Sequence, residues 1–216
     1  MIPIILKLKK GSQREIAKAQ DLIIKTLFEV FNNAVIHGGT AIWRCYDGNR
    51  FSEDVDAYIE KDMKKIEKLF IEFEKNGFVI ERRKIGNNSI YSNLRLDRIL
   101  VRFEAVFKKI KGLLKEYENA DGNFRTIYTL SAEELIKEKI SAYLNRLKIR
   151  DLYDIFFLLR YADSPSIKKD LNKLISEFKK PIDENNLNIL IIEGIVPKPK
   201  DMINYIRGKW WERKNI

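Results

Sequence analysis

Cysteine is almost missing from this chain: its 216 residues contain one, Cys45. A single thiol excludes an intrachain disulfide and a zinc site built from cysteines. Placed between Arg44 and Tyr46, with Trp43 nearby, it is expected to be a buried packing thiol rather than a reactive one. Long apolar runs are missing too. No stretch approaches the roughly 20 residues that cross a bilayer, and the opening MIPIILKLKK is too short an apolar run for a secretory signal. A cytoplasmic protein without a membrane partner is the expectation. Acids are in deficit, 31 against 41 Lys and Arg, for a net charge of +10 and a pI near 9.5. That balance favours a polyanionic partner, a nucleotide with RNA or an acidic protein, although a Lys- and Glu-rich surface of thermophile type would produce similar numbers. With 45% hydrophobic and 33% charged residues, the chain is not a disordered one and can bury a sizeable core.

What is present is concentrated in VIHGGTAIWRCYDGNRFSEDVDAYI, Val35 to Ile59. It reads as a short strand (34–37), a turn at Gly38 and Gly39, a helix from Thr40, a second turn near Asp47 to Asn49, and a second strand. Strand side chains alternate, so Asp54 and Asp56 share one face while Val55 and Ala57 point into a core. Two carboxylates one strand period apart repel each other, and a divalent cation between them relieves the repulsion. Carboxylate oxygens suit Mg²⁺ (or Mn²⁺), which takes one or two of them together with waters and substrate phosphates. Gly38 and Gly39, ending a strand and opening a helix, let bare backbone amides approach an anion where the helix dipole favours negative charge. Thr40 adds a hydroxyl that caps the helix or reaches a phosphate. A phosphate cradle beside a metal-binding acid pair is apparatus for phosphoryl or nucleotidyl transfer. The plain alternative is a strand, turn and helix with a surface Asp-x-Asp. His37, the lone histidine, is expected as a side chain at the end of a core strand.

This segment resembles the signature of the DNA polymerase beta-type nucleotidyltransferases: a hydrophobic residue, Gly-Gly or Gly-Ser, a spacer, then Asp-x-Asp. GGTAIWR followed by NRFSEDVDAYI is more closely similar to the AbiEii-type nucleotidyltransferases, the toxin half of abortive-infection toxin–antitoxin pairs. Their Arg-x-Ser-x-Asp-hydrophobic-Asp run is matched here by Arg50, Ser52, Asp54 and Asp56. The resemblance implies that Arg50 and Ser52 assist the nucleotide's phosphates, and that a third metal-binding acid stands on a neighbouring strand.

Around this unit the chain reads as alternating helices and strands. A helix over 12–32 is predicted, with Ser12 and Glu15 as its capping box and Ile16, Ala19, Ile23, Leu27 and Val30 on one face. A second helix, 62–75, turns Met63, Ile66, Leu69, Phe70 and Phe73 inward and stops at Asn76-Gly77. Three strands follow, 78–85, 89–96 and 99–107. In the last, Arg102, Glu104 and Val106 share a face opposite Val101, Phe103, Ala105 and Phe107. A carboxylate midway along such a strand is costly to bury unless paired or metal-bound. Glu104 is therefore the candidate third acid, or a partner of Arg102 on a solvated face. Residues 108–120 look basic and unpatterned, and 124–130 looks like another short strand.

From Ser131 onward the pattern is helical, with Ser131 and Glu134 forming a capping box. EELIKEKISAYLNRLKIRDLYDIFFLL resembles the second AbiEii block, a lysine-bearing helix followed by Arg-x-x-x-Arg-Asp-x-x-Asp. Those residues are Lys139, Arg146, Arg150, Asp151 and Asp154. By resemblance Lys139 contacts nucleotide phosphate and Asp151 acts as base or orients the acceptor. Residue types alone fit helix capping and surface pairing as well. Ser164 with Pro165 starts a further helix. The basic, aromatic C-terminus (Tyr205, Arg207, Lys209, Trp210, Trp211, Arg213, Lys214) either packs on the bundle or contacts an acceptor RNA.

The expected fold is α/β (α+β): a nucleotidyltransferase-type mixed sheet with flanking helices over 1–130, a C-terminal helical bundle over 131–216, and an active site between them. The expected activity is metal-dependent transfer of a nucleotide from an NTP to an acceptor, an RNA such as a tRNA end or a protein, by the toxin of an AbiEii-like pair with a cognate antitoxin. The catalytic set is Asp54, Asp56, Lys139 and Asp151, the nucleotide set Gly38, Gly39, Thr40, Arg50, Ser52 and Lys139, and the metal set Asp54, Asp56 and Glu104. Two alternatives remain open: an idle nucleotidyltransferase-like binding module, and an enzyme acting on a small molecule such as an antibiotic.

Overall fold

The structure is a computed structural model that describes residues 2–162 and 165–212, with side chains through 209. The chain divides into two compact units, one of residues 1–47 and 51–130, the other of 48–50 and 131–216.

The first unit begins with a short helix, α1 (Ile4–Lys7), then α2 (Gly11–Val30). Helix α2 starts earlier than Ser12. Gln13 Oε1 accepts from the Lys10 amide at 3.4 Å, while Glu15 pairs instead with Lys18 at 3.0 Å. Strand β1 (Val35–His37) leads directly into α3 (Gly38–Cys45), so both glycines lie in the first helical turn rather than in a turn ahead of it. There follow β2 (Val55–Ile59), α4 (Met63–Lys75), β3 (Val79–Ile85), β4 (Ser89–Leu96), β5 (Ile99–Phe107), β6 (Leu113–Glu118) and β7 (Phe124–Thr129). The Asp62 carboxylate caps α4 by accepting from the Lys64 and Lys65 amides. Met63, expected inside, is 46% exposed; it is the first residue of α4, next to the Asp62 cap.

These strands form one mixed sheet in the order β3-β4-β5-β2-β1-β7-β6. Strand β6 falls in the stretch that reads as unpatterned. It is an edge strand, paired on one side with β7 from Leu113↔Thr129 to Glu118↔Phe124. Its buried residues, Tyr117 and Glu118, are adjacent and one of them is charged, so no apolar alternation shows in the sequence. The packed face of the sheet carries Val55, Ala57, Val101, Phe103, Ala105 and Leu94, all fully buried. Phe73 of α4 meets Phe103 edge-on at 5.6 Å and Phe70 and Phe78 at 5.9 Å. Truncating such a ring costs about 3–5 kcal/mol.

The second unit holds α5 (Ala132–Arg146), α6 (Ile149–Leu158), α7 (Lys168–Ser176), α8 (Leu187–Leu190) and α9 (Pro199–Glu212), with 3-10 turns at Pro165–Ile167 and Glu184–Asn186. Helix α5 has the expected box: the Glu134 amide donates to Ser131 Oγ and the Ser131 amide to the Glu134 carboxylate. Pro165 opens a 3-10 turn, while the Ser164 cap expected before it lies outside the described residues. In α9, Met202, Ile203 and Ile206 are buried, and Tyr205 packs edge-on against Phe156 at 5.0 Å. The side chains of Trp210, Trp211, Arg213 and Lys214 lie outside the described residues. Among those described, no helix is long and apolar enough to cross a membrane.

Candidate active site

Registered partners in a sheet point to the same side, so the pairing of the strands assembles the site. One row runs across four ladders: Lys84↔Tyr91, Tyr91↔Glu104, Glu104↔Asp56 and Asp56↔His37. The row lies on the face opposite α2 and α4, since its neighbours Ala57, Ala105 and Phe103 point into the core. Asp54 precedes β2 and points the same way as Asp56. Arg102 makes an ion pair with the Asp54 carboxylate and lies 2.9 Å from Glu104, bridging two acids. Three carboxylates and one guanidinium therefore share a patch of sheet face.

The electrostatics follow from that crowding. Burial raises the pKa of Glu104 above the usual carboxylate value. Arg102 opposes the shift, and Asp56 and Asp54 reinforce it. His37, registered with Asp56, stacks on Tyr58 with ring centroids 4.0 Å apart and planes within 15°.

The glycine turn is pressed onto the acids. Gly38 has φ +71°, and a Cβ there would overlap the Asp56 carboxylate. Only glycine lets the start of α3 come so close in that conformation. Thr40 sits deeper: its hydroxyl donates to the Asp54 carbonyl and is contacted by Gln20 Nε2 at 3.4 Å. Gln20 also donates to the Ser52 carbonyl at 2.9 Å, so α2 and α3 jointly fix the segment 52–54 that aims Asp54. Ser52 is buried at 9% exposure.

Arg50, Lys139, Asp151 and Asp154 form a separate cluster within the helical unit. Arg50 makes a two-pronged pair with Asp154, Nε to Oδ1 and Nη2 to Oδ2, both 2.8 Å. Lys139 Nζ lies 2.8 Å from Asp154 and 3.7 Å from Asp151. Arg146 grips Asp151 at 2.7 and 2.8 Å. Both Asp side chains are inaccessible and Lys139 is 7% exposed. Burial alone would raise the pKa of Asp154, but Arg50 and Lys139 outweigh it and hold the carboxyl below its ordinary value. The i, i+3 spacing on α6 does turn Asp151 and Asp154 the same way, into this network.

A family model described as nucleotidyl transferase AbiEii toxin, type IV toxin–antitoxin system, matches residues 25–203. The chain belongs to this family. Solved structures agree on the fold. MenT4, a nucleotidyltransferase toxin from Mycobacterium tuberculosis H37Rv, superposes with a TM-score of 0.65 at 17% identity, over 95% of this chain and 85% of that one. JHP933 from Helicobacter pylori does so with a TM-score of 0.64 at 17% identity, over 95% of each chain. No curated protein matches significantly by sequence.

As an AbiEii-family nucleotidyltransferase, the chain presents an oxygen donor set that fits a hard divalent cation: two same-facing carboxylates, with a third one strand away. Among the described residues no three His, Cys, Asp or Glu side chains converge as a ready-made metal cage. Mg²⁺ does not require one, because substrate phosphates and waters complete its shell. Three contributors escape sequence reading. Gln20 is a polar residue on an apolar helical stripe, a signal of a buried hydrogen bond. Arg102 is visible only as a partner for Glu104. Arg44 is 1% exposed and ties α3 to Ala17 O (2.9 Å), Asp21 (3.0 Å) and Glu118 O (3.0 Å), with Trp43 under its guanidinium at 4.3 Å.

Proposed function

We propose that this AbiEii-family nucleotidyltransferase is metal-dependent and moves a nucleotide from an NTP onto a nucleic-acid acceptor, an RNA end such as that of a tRNA. The observation that carries the reading is the close approach of Gly38 to Asp56, where a Cβ would overlap the carboxylate, so that the backbone opening α3 lies directly against the acid pair. Asp54 and Asp56 would hold Mg²⁺, with Glu104 completing the acid patch once Arg102 yields. The cation, when bound, supplies Lewis-acid neutralisation of charge on the reacting phosphate. The amides of Gly38 and Gly39 at the start of α3 orient the phosphates. Thr40, Ser52 and Gln20 keep the Asp54 backbone in place. Lys139, Asp151 and Arg50 act here as positioning groups, since each is engaged in buried ion pairs. A cytoplasmic setting and a cognate antitoxin belong to the same proposal, the latter supported by the toxin–antitoxin character of the family.

The test is incorporation of label from each of the four NTPs into RNA by purified protein, with and without Mg²⁺. Asp54→Asn and Asp56→Asn are expected to lower the rate at least ~1000-fold while keeping the fold, given the several kcal/mol a metal contributes to the transition state. Full activity in both variants, or in EDTA, overturns the proposal.

A further inference from the structure

The basic excess of this chain has a focus on the same sheet face as the acids. A groove of about 440 Å³ is lined by Asn33, Tyr58, Glu60, Lys108, Lys109 and Lys111. A second, of about 360 Å³, shares Asn33 and Lys111 with it and extends past Tyr128. Tyr58 and Asp56 stand two residues apart on one face of β2, roughly 6.6 Å along the strand. The His37 ring stacked on Tyr58 bridges that interval. The groove therefore runs from the acid row towards the far end of β2.

Its chemistry is one-sided. Lys108, Lys109 and Lys111 are exposed, and among the described residues no carboxylate makes an ion pair with any of them. The acid in the groove, Glu60, is met by Lys65 at 2.5 Å. Lys108 Nζ lies 5.6 Å from the centre of the Tyr58 ring, so cation and aromatic face occur together. The lysine segment is also held in place: the Lys108 amide donates to Ile59 O at 3.0 Å. At its other end, a Cβ on Gly112 would come within 2.9 Å of Val35 and 3.0 Å of Tyr128, so only glycine allows that approach. Uncompensated lysines beside a stacked aromatic, on a fixed backbone, are the elements of a single-strand nucleic-acid track.

We infer that this groove binds the phosphodiester backbone of a single-stranded RNA acceptor, with Lys108, Lys109 and Lys111 on its phosphates and Tyr58 with His37 as the platform for the base nearest Asp56. The inference rests on the nucleotidyl-transfer reading for its direction, but not for its test.

The experiment is fluorescence anisotropy of a labelled single-stranded RNA oligonucleotide with the full chain, without NTP or metal, across a salt series. The Lys108→Gln/Lys109→Gln/Lys111→Gln variant is expected to bind at least tenfold more weakly at 150 mM salt, and its log–log salt slope should fall by about 2. Tyr58→Ala should weaken binding about fivefold or more. A control removes equal charge from α4, as Lys64→Gln/Lys68→Gln/Lys75→Gln, and is expected to change affinity less than threefold. Equal losses in the two triple variants would make net charge the cause and overturn the groove. So would an unchanged slope, a wild type that does not bind RNA, or displacement of RNA by polyglutamate of matched charge at equal concentration, which would mark an acidic-protein face. Transfer is read separately. Wild-type protein that binds in the groove but transfers nothing refutes the activity and leaves the groove standing, whereas normal RNA labelling by the lysine variant refutes the groove alone.

Discussion

Asp154→Ala is the sharpest probe of how the helical unit is held. The wild-type carboxylate is inaccessible to solvent and takes both prongs of Arg50 at 2.8 Å and the Lys139 ammonium at 2.8 Å. Removing it leaves two buried cations, of which Lys139 keeps, among the described residues, the Asp151 carboxylate, 3.7 Å away and already engaged by Arg146. Breaking a buried pair from one side costs about 3–5 kcal/mol, mostly as the penalty on the abandoned charge. Against a total stability of about 5–15 kcal/mol, that should lower the melting temperature on the order of 10 °C. The double replacement Arg50→Met/Asp154→Leu should recover part of the loss, because it removes one of the two cations that Asp154 holds and leaves Lys139 to Asp151. The pH dependence has a defined sign. Asp154 is held below its ordinary value, so its contribution is complete above the unfolded carboxyl pKa of 3.8. The contribution disappears as pH falls through the lower folded value, so acid should unfold the wild type while narrowing its gap to the variant. Circular-dichroism melts at pH 7 and along a series down to pH 3 measure all of this. A loss under about 1 kcal/mol in Asp154→Ala, or no coupling between positions 50 and 154, would refute the reasoning and return these residues to direct contact with substrate.

Other expectations follow from single contacts. Gly38→Ala forces a side chain into positive φ and into the Asp56 carboxylate. It should cost about 1–3 kcal/mol and reduce labelling from NTP even where the variant stays folded, so wild-type activity in a folded variant would discount the cradle. Arg102→Ala removes the cation that spans Asp54 and Glu104. Thermal shift with MgCl₂ alone should then reach half-effect at lower concentration than in wild type, and an unchanged midpoint would mean the guanidinium does not compete with a cation. Burial pushes the Cys45 thiol up to about 12, with Arg44 and Lys115 only partly opposing it. The native protein should therefore resist alkylation at pH 8 and react on unfolding, and rapid native labelling would contradict the packing of α3.

Much of the candidate site's geometry was legible because it is local. Period-two alternation in a short strand decides which side chains share a face, and a diglycine before a helix carries a backbone requirement that few other residues meet. Residues 35–59 therefore announce Asp54, Asp56 and the turn against them, as alternation in 99–107 announces that Glu104 points away from Phe103. Capping at Ser131 is local in the same sense. What lay beyond reach was partner choice. Strand order made Glu104 the neighbour of Asp56, and nothing in either strand records that β5 pairs with β2. The edge strand β6 carries little periodic signal because its two buried residues, Tyr117 and Glu118, are adjacent rather than alternating. Arg50 and Asp154 stand 104 residues apart, and each alone reads as a solvated charge near a turn or helix end. Only the folded helical unit, by excluding water from both, converts them into a buried pair. Low dielectric and burial belong to the assembled structure and not to any segment of it, so the sequence determined which chemistry was available here and tertiary packing decided which charges share the open sheet face and which are buried against one another.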